Sequence, residues 1–164
     1  MRPIRRATER PAATRLLARG LVALFVLLGV ALPLAVTAAW TDSEAQGFLL
    51  IVHPQNSTPH VAKEWVAQAF LKRVTRWDDG QTVKPVDLHP DATVRNLFSS
   101  AVLKRSVAAM RSYWQQRIFS GRELPPPELA SDEAVVQYVL STPGAIGYVA
   151  PTTQLHKARV LAVR

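Results

Sequence analysis

A stretch of 22 residues without a charged side chain, from Gly20 to Thr41, limits what this 164-residue chain can fold into. Six arginines and a single acid precede it, small residues end it, and residues 21–34 within it are almost purely apolar. This order is typical of a secretory signal peptide cleaved after Ala38 or Ala39. The stretch is also as long as the ~20 residues that cross a bilayer, so an uncleaved membrane anchor is the alternative.

Both interpretations of the N-terminus predict that the rest of the chain leaves the cytoplasm. Arginines ahead of an apolar segment hold the N-terminus inside and direct the following chain outward. We therefore expect residues 1–39 to be a signal peptide or a membrane anchor, and residues 40–164 to form one periplasmic or extracytoplasmic domain. An uncleaved anchor would hold this domain at the inner membrane. The membrane is expected to be contacted only through the N-terminal segment.

The net charge of +8 lies mainly in that N-terminal segment, which argues against nucleic-acid binding. Residues 40–164 contain 14 Lys or Arg and 11 Asp or Glu, without a long block of one sign. A nucleic-acid footprint needs basic side chains clustered on one face, so no nucleic-acid partner is expected. The chain has no cysteine and its four histidines show no metal-ligand spacing. Because no nucleophile motif is present either, we expect no metal, no cofactor and no enzymatic activity.

Strand and helix patterns alternate along residues 40–164. Apolar runs and helical spacing predict strands at 48–52, 83–88, 145–149 and 160–163, and helices at about 59–73, 91–102, 106–117 and 131–141. Ser57 or Thr58 is expected to cap the first helix, with Pro59 at its first position. Asp91 and Ser131 are expected to cap later helices. Alternation of this kind predicts the α/β class.

Several short motifs follow one another in a specific order between Leu49 and Val149. They are Phe70–Gly80 (FLKRVTRWDDG), Val83–Asp87 (VKPVD), Arg95, Phe98, Ala101–Ser106 (AVLKRS), Tyr113-Trp114, Phe119–Arg122 (FSGR), Pro125-Pro126 and Pro143–Val149 (PGAIGYV). This ordered set resembles periplasmic phosphate-binding proteins, the substrate-binding components of phosphate ABC transporters. The resemblance implies an α/β fold of the type 2 periplasmic-binding-protein-like class. Residues 40–164 have room for a single lobe of that fold, preceded here by the N-terminal signal or anchor helix.

The resemblance is weakest where the family holds phosphate. The glycine-rich turn of the family's first lobe has no counterpart in this chain. The Arg and the Ser-Gly-Thr turn that precede a second-lobe helix are replaced by Leu88–Thr93 (LHPDAT). Pro90 lacks a backbone donor and Asp91 adds negative charge, and both changes oppose a phosphate nest. A single lobe also leaves a bound anion in water, which weakens its hydrogen bonds.

Two segments still carry residues that suit an anion site. A helix N-terminus with an arginine in its first turn favours anions, as does a polar loop at the end of a strand. If both segments line the same end of the sheet, their side chains would converge. The plainer interpretation is helix capping, with Arg95 on the surface. The candidate ligand residues are Asn56, Ser57, Thr58, His89, Thr93 and Arg95.

Two functions are compatible with these residues. The first is an exported substrate-binding component related to phosphate ABC transport, with weak or degenerate binding of phosphate or another small anion. The second is a protein-interaction module of the cell envelope that has kept the fold and lost the ligand. The partner expected besides the anion is a transporter or another envelope protein.

Overall fold

The computed structural model of this protein describes residues 47–164. The predicted signal or anchor segment at residues 1–39 and the first residues of the predicted domain therefore lie outside the described residues. No helix within the described range is both long enough and apolar enough to cross a membrane. The described residues all belong to one compact unit of the chain.

Short strands and helices alternate along the described residues. The strands are β1 (Leu49–Val52), β2 (His60–Val61), β3 (Lys84–Pro85), β4 (Asp87–Leu88), β5 (Glu128–Leu129), β6 (Ala145–Val149), β7 (Arg159–Val160) and β8 (Ala162–Val163). The α-helices are α1 (Lys63–Phe70), α2 (Thr93–Phe98), α3 (Val107–Phe119) and α4 (Asp132–Ser141), and a π-helical turn follows α2 at Ser99–Leu103. This alternation agrees with the predicted α/β class.

A four-stranded sheet in the order β3-β6-β1-β7 forms the centre of the fold. β1 pairs antiparallel with both β6 and β7, whereas β3 runs parallel to β6. In this register Leu49 lies opposite Val149, and Val52 lies opposite Ile146. Two smaller parallel pairs, β2 with β8 and β4 with β5, complete the strand pairing of the described residues.

The core lies around β1 and β6, whose residues are all buried. An aromatic cluster covers one part of β6, where the rings of Phe98 and Tyr148 stack with centroids 3.9 Å apart and Phe48 meets Phe98 edge to face at 5.4 Å. Gly147 on the same strand allows α4 to pack closely, because a Cβ there would lie 2.6 Å from Val135. The continuous apolar runs in the sequence thus mark strands that are buried on both sides.

The first helix starts later than its sequence prediction. The first helix begins at Lys63 instead of residue 59, because His60 and Val61 form β2 and pair with β8. Neither Ser57 nor Thr58 caps it, since its N-cap is Ala62 without a side-chain hydrogen bond. The predicted cap at Ser131 is confirmed, because its hydroxyl accepts the Ala134 amide at 3.3 Å.

Candidate functional site

Arg95 lies inside the protein, with 3% of its area exposed, so a surface position for it is wrong. Its side chain reaches from the first turn of α2 back to β4. Nη1 lies 2.6 Å from Asp87 Oδ1 and donates to the Leu88 carbonyl oxygen at 2.6 Å. Nη2 donates to Glu128 Oε1 at 3.4 Å. The register of β4 and β5 sets Asp87 beside Glu128, which brings two carboxylates to one guanidinium group.

The carboxyl group of Asp87 receives further donors from its own strand and from β6. The Tyr148 hydroxyl donates to Asp87 Oδ1, and the Leu88 amide donates to the same oxygen at 3.1 Å. Burial raises the pKa of Asp87 to about 6, although the nearby Arg95 charge acts in the opposite direction. Burial also raises the pKa of Tyr148, so that its hydroxyl remains a protonated donor. These three side chains form a buried network of a cation, a carboxyl group and a phenol.

This network engages most of the Arg95 guanidinium group. Both Nη atoms have acceptors within the protein, whereas Nε is buried without a hydrogen-bond partner among the described atoms. Arg95 lines a cavity of about 210 Å³ whose wall also contains Arg111, Trp114 and Glu128. An anion entering this cavity would meet a charge that Asp87, at 2.6 Å, already compensates.

His89 and Thr93 lie on the surface next to the start of α2. The Asp91 amide donates to His89 Nδ1 at 3.4 Å, and the Asp91 carboxylate lies 3.5 Å from the same nitrogen. The N-cap of α2 is Ala92, without a side-chain hydrogen bond, so the predicted capping by Asp91 is wrong. Asp91 instead places a negative charge at the helix start, where an anion site needs hydrogen-bond donors.

The other candidate loop is folded onto Arg159 of β7. Asn56 is buried, and its Oδ1 accepts the Thr58 amide at 3.0 Å and Arg159 Nη2 at 3.4 Å. Arg159 also donates to the Thr58 carbonyl oxygen. Ser57 between them is exposed. The polar groups of Asn56 and Thr58 thus shape the turn itself, as in an Asx-turn.

The two candidate segments lie at opposite ends of the central sheet. The first segment leaves β1 where the His53 amide donates to the Ala145 carbonyl oxygen at 3.3 Å, at the start of β6. The second segment follows β3, which runs in the direction of β6, and the Leu88 amide lies 3.4 Å from the Tyr148 hydroxyl near the end of β6. The two segments therefore do not line one end of the sheet, because β1 runs antiparallel to β6, and the convergence considered from the sequence does not occur.

The partners of the candidate residues are only partly visible in the sequence. Asp87 gives a signal, because it is a lone acid between the apolar residues Val86 and Leu88 of the predicted strand 83–88. A charge inside an apolar strand implies a buried partner. Tyr148 and Arg159 give no comparable signal, since each meets its partner through strand pairing between distant parts of the chain.

Two larger cavities lie away from Arg95. One of about 470 Å³ lies between the start of α4 and the loop after β6, where Asp132 Oδ2 accepts the Ala150 amide at 2.8 Å. The other, of about 410 Å³, is lined by Thr58, Trp65 and Trp77 among others. Within residues 47–164 no group of three or more His, Asp or Glu side chains is placed to hold a metal ion.

Comparison with solved structures identifies the fold. A protein described as a phosphate ABC transporter substrate-binding protein from Clostridium perfringens, solved with bound phosphate, aligns with 71% of this chain at a TM-score of 0.57 and 14% identity. An ABC-type phosphate transport receptor from Vibrio cholerae aligns with 71% at 0.56 and 13%. PstS from Borrelia burgdorferi aligns with 73% at 0.55 and 12%. No protein-family model and no curated protein sequence matches the chain.

The chain spans about half the length of these structures, since the alignments cover 44%, 46% and 52% of them. At sequence identities this low, the similarity establishes the fold and leaves ligand and partner to be argued from the residues. The described part of the chain therefore has the mixed α/β fold of phosphate ABC transporter substrate-binding proteins, as the order of its motifs predicted.

Proposed function

We propose that this chain is an exported, non-enzymatic relative of the substrate-binding components of phosphate ABC transporters, and that it binds phosphate or another small anion weakly. The fold shared with three such proteins supports a substrate-binding role. The observation that carries the weakness of binding is the buried ion pair between Arg95 and Asp87. An exported domain of this kind has a transporter or another envelope protein as its expected partner.

The ion pair opposes anion binding for a physical reason. The side chains of Arg95 and Asp87 are 4% and 7% exposed, so neither has water to replace a lost partner. A phosphate ion that takes Arg95 must separate it from Asp87 and leave a carboxylate buried without its cation. Breaking one partner of a buried pair costs about 3–5 kcal/mol. This cost is comparable with the whole binding free energy of a millimolar ligand, about 4 kcal/mol.

The remaining candidate residues add little binding. Thr93 and His89 are exposed, and Asp91 beside them repels anions. Asn56, Ser57 and Thr58 lie at the other end of the sheet, so they cannot contribute to the same site. A surface site of this kind stays in contact with water, where each hydrogen bond to a ligand competes with solvent. We therefore place any phosphate site at the start of α2, where Thr93 is exposed and Arg95 is available only when it separates from Asp87.

Isothermal titration calorimetry of the full chain with phosphate at pH 7.5 tests this function. We expect a dissociation constant weaker than about 1 mM, corresponding to about −4 kcal/mol. Asp91→Asn should tighten binding by up to about fivefold, because it removes an exposed negative charge. Thr93→Val should weaken binding. Ser57→Ala is the matched control at the other end of the sheet and should change nothing, whereas micromolar binding by the unmodified chain would contradict the proposal.

A second candidate function is an envelope protein-interaction module without a ligand. The position of the two polar segments at opposite ends of the sheet favours it, because no common anion site is then formed. This function predicts no heat with phosphate at any accessible concentration. It also predicts that crosslinking in intact cells joins the chain to one specific envelope protein. Heat that responds to both Asp91→Asn and Thr93→Val supports the first function instead.

A further inference from the structure

The end of α3 exposes three large apolar side chains, which we call the apolar tip. Ile118 is 45% exposed, Phe119 is 89% exposed and Leu124 is 68% exposed. Among the described residues only one other large apolar side chain, Leu97, is exposed. Ile118 and Leu124 line the same shallow hollow of about 250 Å³, and Phe119 is the last residue of α3. Exposed apolar side chains concentrated in one place indicate a contact surface.

The chain that leads to the apolar tip is rich in basic side chains, and Glu123 lies within the tip itself, beside Leu124. Residues 92–122 contain six basic side chains and no acidic one. Arg95 is buried, and Arg117 pairs with Glu123 at 2.7 Å. The other four are exposed and have no acidic partner among the described residues. They are Lys104, Arg105, Arg111 and Arg122. Arg111 shares a cavity wall with Ile118, and Arg122 lines the hollow with Ile118 and Leu124, so unpaired positive charge adjoins the apolar tip.

α3 is held to the rest of the protein by a narrow stripe. Of its 13 residues only Met110 and Trp114 are buried. Arg111 and Ile118 are separated by seven positions and therefore lie on one side of the helix, and both line the cavity next to Trp114. Most of the circumference of α3 is thus available for contact. Arg111 lies in the first half of the helix, and the apolar side chains lie at its C-terminal end.

We propose that the apolar tip, with the exposed Arg111 and Arg122 beside it, docks on an anionic phospholipid bilayer. Arginine matches lipid phosphate groups, and an exposed aromatic side chain at a helix end can enter the headgroup region without a shaped groove to receive it. Arg111 and Arg122 are exposed without an acidic partner among the described residues, and Glu123 is paired with Arg117, which suits a negatively charged surface. This contact is additional to the one expected from the N-terminal segment, and it does not depend on phosphate binding by the domain.

A fluorescent probe beside the apolar tip tests this proposal on the full chain. Because the chain has no cysteine, Ser120→Cys gives a single site for an environment-sensitive dye and leaves Phe119 in place. Gln137→Cys, on the exposed part of α4, is the matched control site. The labelled chain is reconstituted in phosphatidylcholine vesicles with or without phosphatidylglycerol. We expect a blue shift of the dye emission at position 120 that grows with the anionic lipid fraction. Salt at about 0.5 M should reverse this shift, because it screens the attraction between the arginines and the lipid phosphates.

Four variants in the Ser120→Cys background separate the apolar and the electrostatic contributions. Arg111→Gln and Arg122→Gln should each lower the docking equilibrium about fivefold in anionic vesicles. Phe119→Ser should abolish most of the shift without unfolding the protein, since Phe119 is 89% exposed, and Phe119→Leu should retain it.

Several outcomes would overturn the proposal. One is the absence of an emission shift at position 120 when anionic vesicles are added. Another is an equal emission shift in neutral and anionic vesicles. A shift in neutral vesicles that grows with protein concentration would mean that a second copy covers the apolar tip. A shift that appears only when an acidic envelope protein is added would assign the surface to a protein partner. Equal shifts at positions 120 and 137 would show that the probe does not report docking by the tip.

Discussion

Replacing Asp87 by asparagine tests whether burial of the ionised carboxylate destabilises the fold by more than its interactions with neighbouring groups stabilise it. Burial raises the pKa of Asp87 from 3.8 to about 6, so the folded protein holds this proton more tightly than the unfolded chain does. The resulting contribution to the free energy of unfolding is present in full below pH 3.8 and is lost as the pH rises through 6. Asparagine has the shape of the neutral acid, keeps an oxygen acceptor for Arg95 and Tyr148, and never ionises.

The size of the effect follows from the pKa values. The difference between 3.8 and about 6 corresponds to about 3 kcal/mol of unfolding free energy. We expect Asp87→Asn to match the unmodified protein near pH 4 and to become relatively more stable by up to about 3 kcal/mol at pH 8. Arg95→Met is the contrasting variant. It should lose about 3–5 kcal/mol at pH 8, where it strands the Asp87 carboxylate, and less near pH 4.

Urea unfolding of the full chain in a mild detergent, followed by tryptophan fluorescence between pH 4 and 8, measures both variants. Trp77 and Trp114 are buried and report the loss of packing. Only the difference between each variant and the unmodified protein is compared, so that other titrating groups cancel. If Asp87→Asn becomes relatively less stable as the pH rises, the ionised carboxylate stabilises the fold and the argument from burial is refuted.

Three further substitutions test individual contacts that hold the fold together. Gly147→Ala should destabilise the protein by about 1–3 kcal/mol in thermal unfolding, because the new Cβ meets Val135 at 2.6 Å. Ser131→Ala should cost about 1 kcal/mol by removing the N-cap of α4, and Ser141→Ala at the other end of that helix is the control. Arg159→Met should make residues 53–58 more sensitive to limited proteolysis, since it removes the donor to the Thr58 carbonyl oxygen. An unchanged cleavage rate would show that the loop keeps its conformation without Arg159.

The elements with a local pattern could be predicted from the sequence. The runs at 48–52 and 145–149 are apolar without interruption and become the two buried central strands. The burial of Arg95 could also be predicted from the sequence. Arg95, Phe98 and Val102 follow one another at positions i, i+3 and i+7 of the predicted helix, so they lie on one side of it. All three are buried in the structure. A charged residue on the apolar stripe of a helix indicates an internal partner, and the lone acid at position 87 is that partner.

Strand direction could not be predicted in the same way. Whether the segment after β1 meets the one before α2 depends on the antiparallel pairing of β1 with β6. This pairing joins residues far apart in the sequence, such as Leu49 and Val149. No local spacing encodes that direction, because a buried strand has the same apolar run whichever way it points. The early start predicted for α1 fails for a related reason, since His60 and Val61 pair with strand β8 near position 163.

Asp87 can be regarded as an anion that the chain supplies to Arg95 from within. A tethered partner acts at an effective concentration of at least millimolar order, and here folding has already fixed its position. Under the proposed function, phosphate has to compete with this carboxylate for Arg95, and both side chains of the pair are buried. The described residues provide no second lobe that would shield a bound phosphate ion from water. The raised pKa of Asp87 gives a direct way to weaken the internal competitor, because acidification below about 6 neutralises it. If Asp87 is the competitor, phosphate binding should strengthen between pH 7 and pH 5, and Asp87→Asn should remove the part of that dependence that goes beyond the titration of phosphate itself.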